Sequence, residues 1–220
     1  MINYPDEWHA ADLLAFSGRG AVSATIKLGT CSRISHIGGV AYVDRAALRE
    51  SDKISEARIE RWQDRFLLFE ATTLSQFPCE ITGEKIRGVQ SIPPARRIHA
   101  YDGTVELFRL TPPYRERFER EGLGPVLTHE ALRRIGAVYD GRGAIFAGTN
   151  WIARLHYWLF WRRVDRSTLF CNEYWGSLLA AVDLLPASNM SLSTPGSLFR
   201  RLVSSGVYAK HSDLKSEAMA

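Results

Sequence analysis

An α+β fold, an antiparallel sheet packed against helices, is what this 220-residue chain predicts, and three observations carry the prediction. Strand-length apolar runs stand near 12–17, 34–43, 65–72, 85–91 and 104–110, rich in β-branched and aromatic residues. Segments with helical spacing fall near 20–28, 44–61, 113–121, 128–137, 151–163, 171–183 and 196–203. With 45% hydrophobic and 24% charged residues, and no low-complexity stretch, the chain can bury a substantial core without disulfides.

Each element has its own reason. Asp12-Leu13-Leu14-Ala15-Phe16 gives the first strand, and Ala21 to Lys27 a helix-like segment. Ile34 to Val43 is an apolar, β-branched run that belongs in a core, and its Gly38-Gly39 pair lets another backbone or a substrate come close. The stretch 44–64, rich in Arg, Glu and Asp, predicts a solvated helical excursion. Phe66-Leu67-Leu68-Phe69 leads a third strand to a single carboxylate, Glu70. Ile92-Pro93-Pro94 and Thr111-Pro112-Pro113 mark breaks between elements rather than domain linkers, because strand patterns resume between them. Thr128-His129-Glu130 has the character of a helix start, and Tyr139-Asp140-Gly141-Arg142-Gly143 that of a turn. From Cys171 the apolar positions Tyr174, Trp175, Leu178, Leu179 and Val182 form one helical stripe. One domain over 1–208 is expected, with the polar residues 209–220 as a flexible tail.

The chemistry lies in three of these elements. Cys171 opens a helix, where unpaired backbone N–H groups and the positive end of the helix dipole favour a thiolate. An attacking cysteine needs a base, and His36 projects from a rigid strand. Glu70, unpaired in an apolar strand, would be costly to bury, so it needs a cationic or hydrogen-bonding partner, and His36 on an adjacent strand suits it. The same residues also suit a buried structural cysteine, a satisfied core histidine and a Glu70 paired with one of many arginines. Spacing alone leaves both readings open. Cys31 lies in a polar Thr-Cys-Ser-Arg turn and Cys79 in a loop after a proline, so neither starts a convincing helix.

In motif order, Asp12-Leu13-Leu14-Ala15-Phe16, Ser35-His36-Ile37-Gly38, Phe69-Glu70-Ala71, Tyr139-Asp140 and Phe170-Cys171-Asn172-Glu173 resemble the circularly permuted papain-like amidases of the YiiX/YaeF type, within the NlpC superfamily. Thr194-Pro195-Gly196-Ser197-Leu198 is similar to the proline-containing segment that closes those domains. The resemblance implies a permuted papain-like fold in which Cys171 is the nucleophile, His36 the base and Glu70 the third member. It also implies Tyr139, Arg142 and Asn172 near the substrate. Ala11 stands where the family often has Gly, and Asn172 where Ser usually follows the cysteine. The expected activity is amide hydrolysis of a peptide or isopeptide, with cell-wall peptides among the candidate substrates, through an acyl-enzyme and without a cofactor. A lipid acyl hydrolase or acyltransferase, and a non-catalytic binding or virion-associated module, are the alternatives.

Charge and composition narrow the partners. Three cysteines, at 31, 79 and 171, show no zinc spacing and argue against a disulfide framework, so a reducing compartment and no metal are expected. No secretory signal or membrane-length apolar window is visible, which predicts a cytoplasmic protein unless a phage or secretion system delivers it. The segment 151–163 mixes Trp151, Trp158 and Trp161 with arginines, and residues 133–166 hold seven arginines against two acids. That mixture suits an anionic membrane surface, a lid, or a helix packed on the core. No nucleic-acid motif accompanies the net charge of +4, so no nucleic-acid partner is expected.

Overall fold

Alternation along the strands decides which residues face which layer, and the helices pack accordingly. The computed structural model describes residues 2–51, 53–73, 76–139, 168–169, 171–186 and 193–216. Six long strands form the body of one sheet: β1 (Leu13–Gly18), β2 (His36–Val43), β3 (Arg65–Thr72), β4 (Gly88–Ile92), β5 (Gly103–Leu110) and β8 (Tyr208–Lys215). Two-residue strands β6 (Val138–Tyr139) and β7 (Thr168–Leu169) extend it beyond β4. The spatial order is β7-β6-β4-β3-β2-β1-β5-β8, antiparallel throughout except between β6 and β7.

Both faces of the central strands are covered, which is why β2 and β3 read as continuous apolar runs rather than alternating ones. One face buries Ile37, Ala41, Val43, Leu67, Phe69 and Ala71 against α6 (Leu123–Arg133), α7 (Cys171–Ala181) and α8 (Pro195–Ser204). On the other face Phe16, Val40, Leu68 and Ile92 meet Ile98 of α4 (Pro94–Ala100) and Tyr101. Helices α1 (Ala21–Thr30) and α5 (Pro112–Arg120) come directly after β1 and β5.

Several expectations need correcting. The excursion after β2 is two short helices, α2 (Arg45–Arg49) and α3 (Glu56–Glu60), the first capped by the Asp44 carboxylate accepting from the Ala47 N–H at 2.8 Å. Pro93-Pro94 does not merely end a strand. Pro94 opens α4, since a missing N–H and a fixed φ suit the first helical position. Helix α6 begins at Leu123, so Thr128 is internal to it and donates its hydroxyl to the carbonyls of Gly124 and Tyr42. Residues 209–215, expected as tail, form most of β8 on the free edge of β5, with Tyr208 and Leu214 buried. Tyr139, expected to open a turn, ends the strand β6, and the rest of that turn, 140–143, lies outside the described residues. The arginine-rich segment 151–163 lies outside the described residues.

Candidate active site

Strand register brings the first two side chains together. Gly38 pairs with Glu70 across β2 and β3, and side chains two residues apart share a face, so His36 lies diagonally beside Glu70. The ring Nε2 is 2.8 Å from Glu70 Oε2. On the other flank Phe16, opposite His36 on β1, sets its ring 5.5 Å from the imidazole. His36 is thus wedged between an aromatic ring and a carboxylate, with its side chain only 13% exposed.

Glu70 is 0% exposed and fully engaged. Gln90, opposite it on β4, donates its amide to Oε1 at 3.0 Å, and Arg97 of α4 donates Nε–H to Oε2 at 3.0 Å. Burial pushes the Glu70 carboxyl up, but the Arg97 guanidinium and the hydrogen bonds from His36 and Gln90 outweigh it and hold the group at about 2. Neither Arg97 nor Gln90 stands out in the sequence. The apolar strand around Glu70 signals that a cationic or polar partner is needed, but the choice among many arginines is made by the packing of α4 across the sheet.

The third group arrives from the opposite layer. Helix α7 packs on β2 and β3, and Trp175, one turn after Cys171, donates its indole N–H to the Phe69 carbonyl at 2.9 Å. The indole lies against Gly39, where any Cβ would run into its six-membered ring. Gly39 is therefore a seat for Trp175, whereas Gly38 faces Leu68 and Phe16. Cys171 is the first residue of α7 and 3% exposed. Its sulfur lies near enough to the His36 ring to act on the charge of the imidazole. Because Glu70 occupies Nε2, the nitrogen left for sulfur is Nδ1. Burial pulls the His36 imidazole down, but the charge and hydrogen bond of Cys171, followed by those of Glu70, raise it to about 9. Such a ring is an imidazolium at neutral pH, and the start of a helix is a place that favours an anion.

The remaining candidates separate. Cys31 is exposed at the C-cap of α1, in left-handed backbone, and the Cys79 sulfur lies 3.4 Å from the Ser91 hydroxyl. Asn172, expected beside the substrate, is 4% exposed and donates its amide to the Ser193 carbonyl at 2.9 Å, tying the start of α7 to the segment before α8. Tyr139 has its backbone in β6, and Arg142 lies outside the described residues. Among the described residues no three His, Cys, Asp or Glu side chains gather closely enough to hold a metal ion. No helix among them is long and apolar enough to cross a membrane.

No protein-family model and no curated protein matches this chain. Among solved structures the chain is similar to YiiX, a metalloprotein of Escherichia coli O157:H7 described as DUF1105. The two are 14% identical, with 94% of this chain and 97% of that chain covered and a TM-score of 0.48.

Proposed function

We propose that this chain is a cysteine hydrolase that cleaves an amide bond of peptide or isopeptide type. The observation that carries the reading is the His36 imidazole held between Cys171 at a helix start and Glu70 at 2.8 Å. The order of the two elements, histidine strand before cysteine helix, supports the permuted papain-like resemblance. In this scheme the Cys171 thiolate adds to the substrate carbonyl, and a backbone N–H at the start of α7 helps hold the oxyanion. His36 Nδ1 gives its proton to the leaving amine as the C–N bond breaks, leaving a thioester on Cys171. Water then adds to the thioester, His36 takes its proton, and the acid leaves as the thiolate is restored.

The test is labelling. Iodoacetamide at about pH 6 alkylates Cys171 at least tenfold faster than Cys31 or Cys79, because only a stabilised thiolate survives there. A thiol-directed activity probe labels the native protein and fails on Cys171→Ala. Equal rates at the three cysteines would sink the nucleophile, and a labelled protein that cleaves acyl esters but no peptide would move the substrate to lipids.

A further inference from the structure

Arg97 is a buried cation committed to one side of the site. Its side chain is 3% exposed, and its guanidinium carbon lies 5.5 Å from the centre of the Phe16 ring and 5.1 Å from that of Tyr101. Its Nε–H reaches the same oxygen of Glu70, Oε2, that contacts His36. One carboxylate oxygen thus receives both the imidazole and the guanidinium, while the other receives Gln90. The charged side chains along this line are the His36 imidazolium, the Glu70 carboxylate and the Arg97 guanidinium, which alternate in sign.

We propose that Arg97 is a positioning residue of this site, fixing Glu70 as an oriented carboxylate so that His36 keeps one ring position while its own charge changes. The inference rests on the reading of Cys171, His36 and Glu70 as a hydrolase site. Its physical basis is that guanidinium cannot lose its proton in a protein, whereas imidazole changes charge twice in each turnover. A buried carboxylate facing only imidazole would take a proton whenever the ring is neutral. With Arg97 in place, Glu70 stays an anion through both halves of the reaction. The rings of Phe16 and Tyr101, both close to the guanidinium carbon, keep Arg97 from swinging away from Oε2.

The groups that face Glu70 are His36 from β2, Gln90 from β4, Arg97 from α4 and Tyr101 beyond it, with Cys171 acting through the imidazole. Of these, only Arg97 is cationic at every working pH. The experiment tracks Cys171 alkylation against pH in Arg97→Gln and Arg97→Lys. Arg97→Gln moves the acid limb of the profile up by at least one pH unit, so that the rate at about pH 5 falls at least tenfold while the rate at about pH 8 stays within threefold. Arg97→Lys, which keeps the charge, recovers most of the loss. An unshifted limb, or a uniform fall at all pH values in both variants, overturns the proposal.

A second measurement decides the question should Arg97→Gln not fold. In His36→Gln, with Arg97 intact, the Glu70 carboxyl carbon is observed by NMR and identified by its disappearance in His36→Gln/Glu70→Gln. Arg97 keeps it ionised below about pH 4, and a carboxyl that titrates above about pH 5 overturns the inference. This readout involves no turnover. Failure of Cys171 to outpace Cys31 in the wild-type chain would remove the hydrolase reading, while the carboxyl titration would still decide the role of Arg97.

Discussion

Replacing Glu70 by Gln takes one charge out of a buried cluster, and the partner left behind determines the cost. In a solvated triad such a change would affect turnover with little loss of folding. Here Arg97 loses its counter-charge while it stays enclosed by Phe16 and Tyr101, its Nη2 already without a hydrogen-bond partner among the described residues. Removing one member of a buried ion pair costs about 3 kcal/mol or more. Glu70→Gln therefore lowers thermal stability measurably as well as turnover by more than tenfold. Glu70→Gln/Arg97→Gln regains part of the stability and none of the activity, a pattern that a double-mutant cycle by urea unfolding reads directly. Full stability of Glu70→Gln would mean that water, rather than Arg97, compensates this carboxylate. The same scale shows where sequence reasoning stops. His36, Glu70 and Cys171 are legible because each breaks or begins a pattern: a histidine in an apolar strand, an acid after four hydrophobic residues, a cysteine heading a stripe. Arg97 breaks no pattern in an arginine-rich chain. Ala11 is visible as a departure from glycine, but only the backbone reveals that it adopts a left-handed φ of 66°.

At the scale of elements, the strands and helices that carry the site are legible because tertiary packing agrees with local preference: β2, β3 and α7 are apolar over their whole length or on one stripe. The elements that escape the sequence are those in which local signals and packing part company. In β8, Lys210, His211 and Asp213 are solvated, and only Tyr208 and Leu214 turn inward, so the segment looks like a polar tail. Edge strands are often built this way, because charged side chains keep an unpaired edge from recruiting another chain. The Tyr208 hydroxyl donates to the Ala11 carbonyl at 2.9 Å, which joins this strand to the segment entering β1. Leu214, 1% exposed in the cluster under α4, gives the test. Leu214→Ala destabilises the protein by about 2–3 kcal/mol, as truncation of a buried leucine does elsewhere, whereas a side chain on a mobile tail would cost nothing. Chemical denaturation distinguishes the two. Helix α4 escapes for a related reason: a Pro-Pro pair signals both the end of a strand and the start of a helix, and only the packing of Ile98 and Arg97 under the sheet selects the second.

For the whole molecule, the buried charges of the site make stability depend on pH in a direction that can be worked out. Glu70 is held at about 2 against an ordinary value of 4.5, so its contribution is complete above about 4.5 and disappears as pH falls toward and through about 2. His36 is raised from 6.5 to about 9, so its contribution is complete below about 6.5 and disappears as pH rises through about 9. Both contributions are whole only between about pH 4.5 and 6.5, on the acid side of neutrality, although the chain carries a net charge of +4. Self-repulsion of that positive charge would push the optimum toward alkaline pH, so the two effects oppose each other and the buried site decides. Urea midpoints at about pH 3, 5.5 and 9.5 are therefore highest at the middle value. Cys171→Ala removes the group that raises His36 most, so its alkaline loss shrinks while its acid loss stays. A midpoint that climbs steadily from pH 5.5 to 9.5 in the wild-type chain, or an alkaline loss unchanged by Cys171→Ala, would show that His36 is not charged against the thiolate in the folded protein.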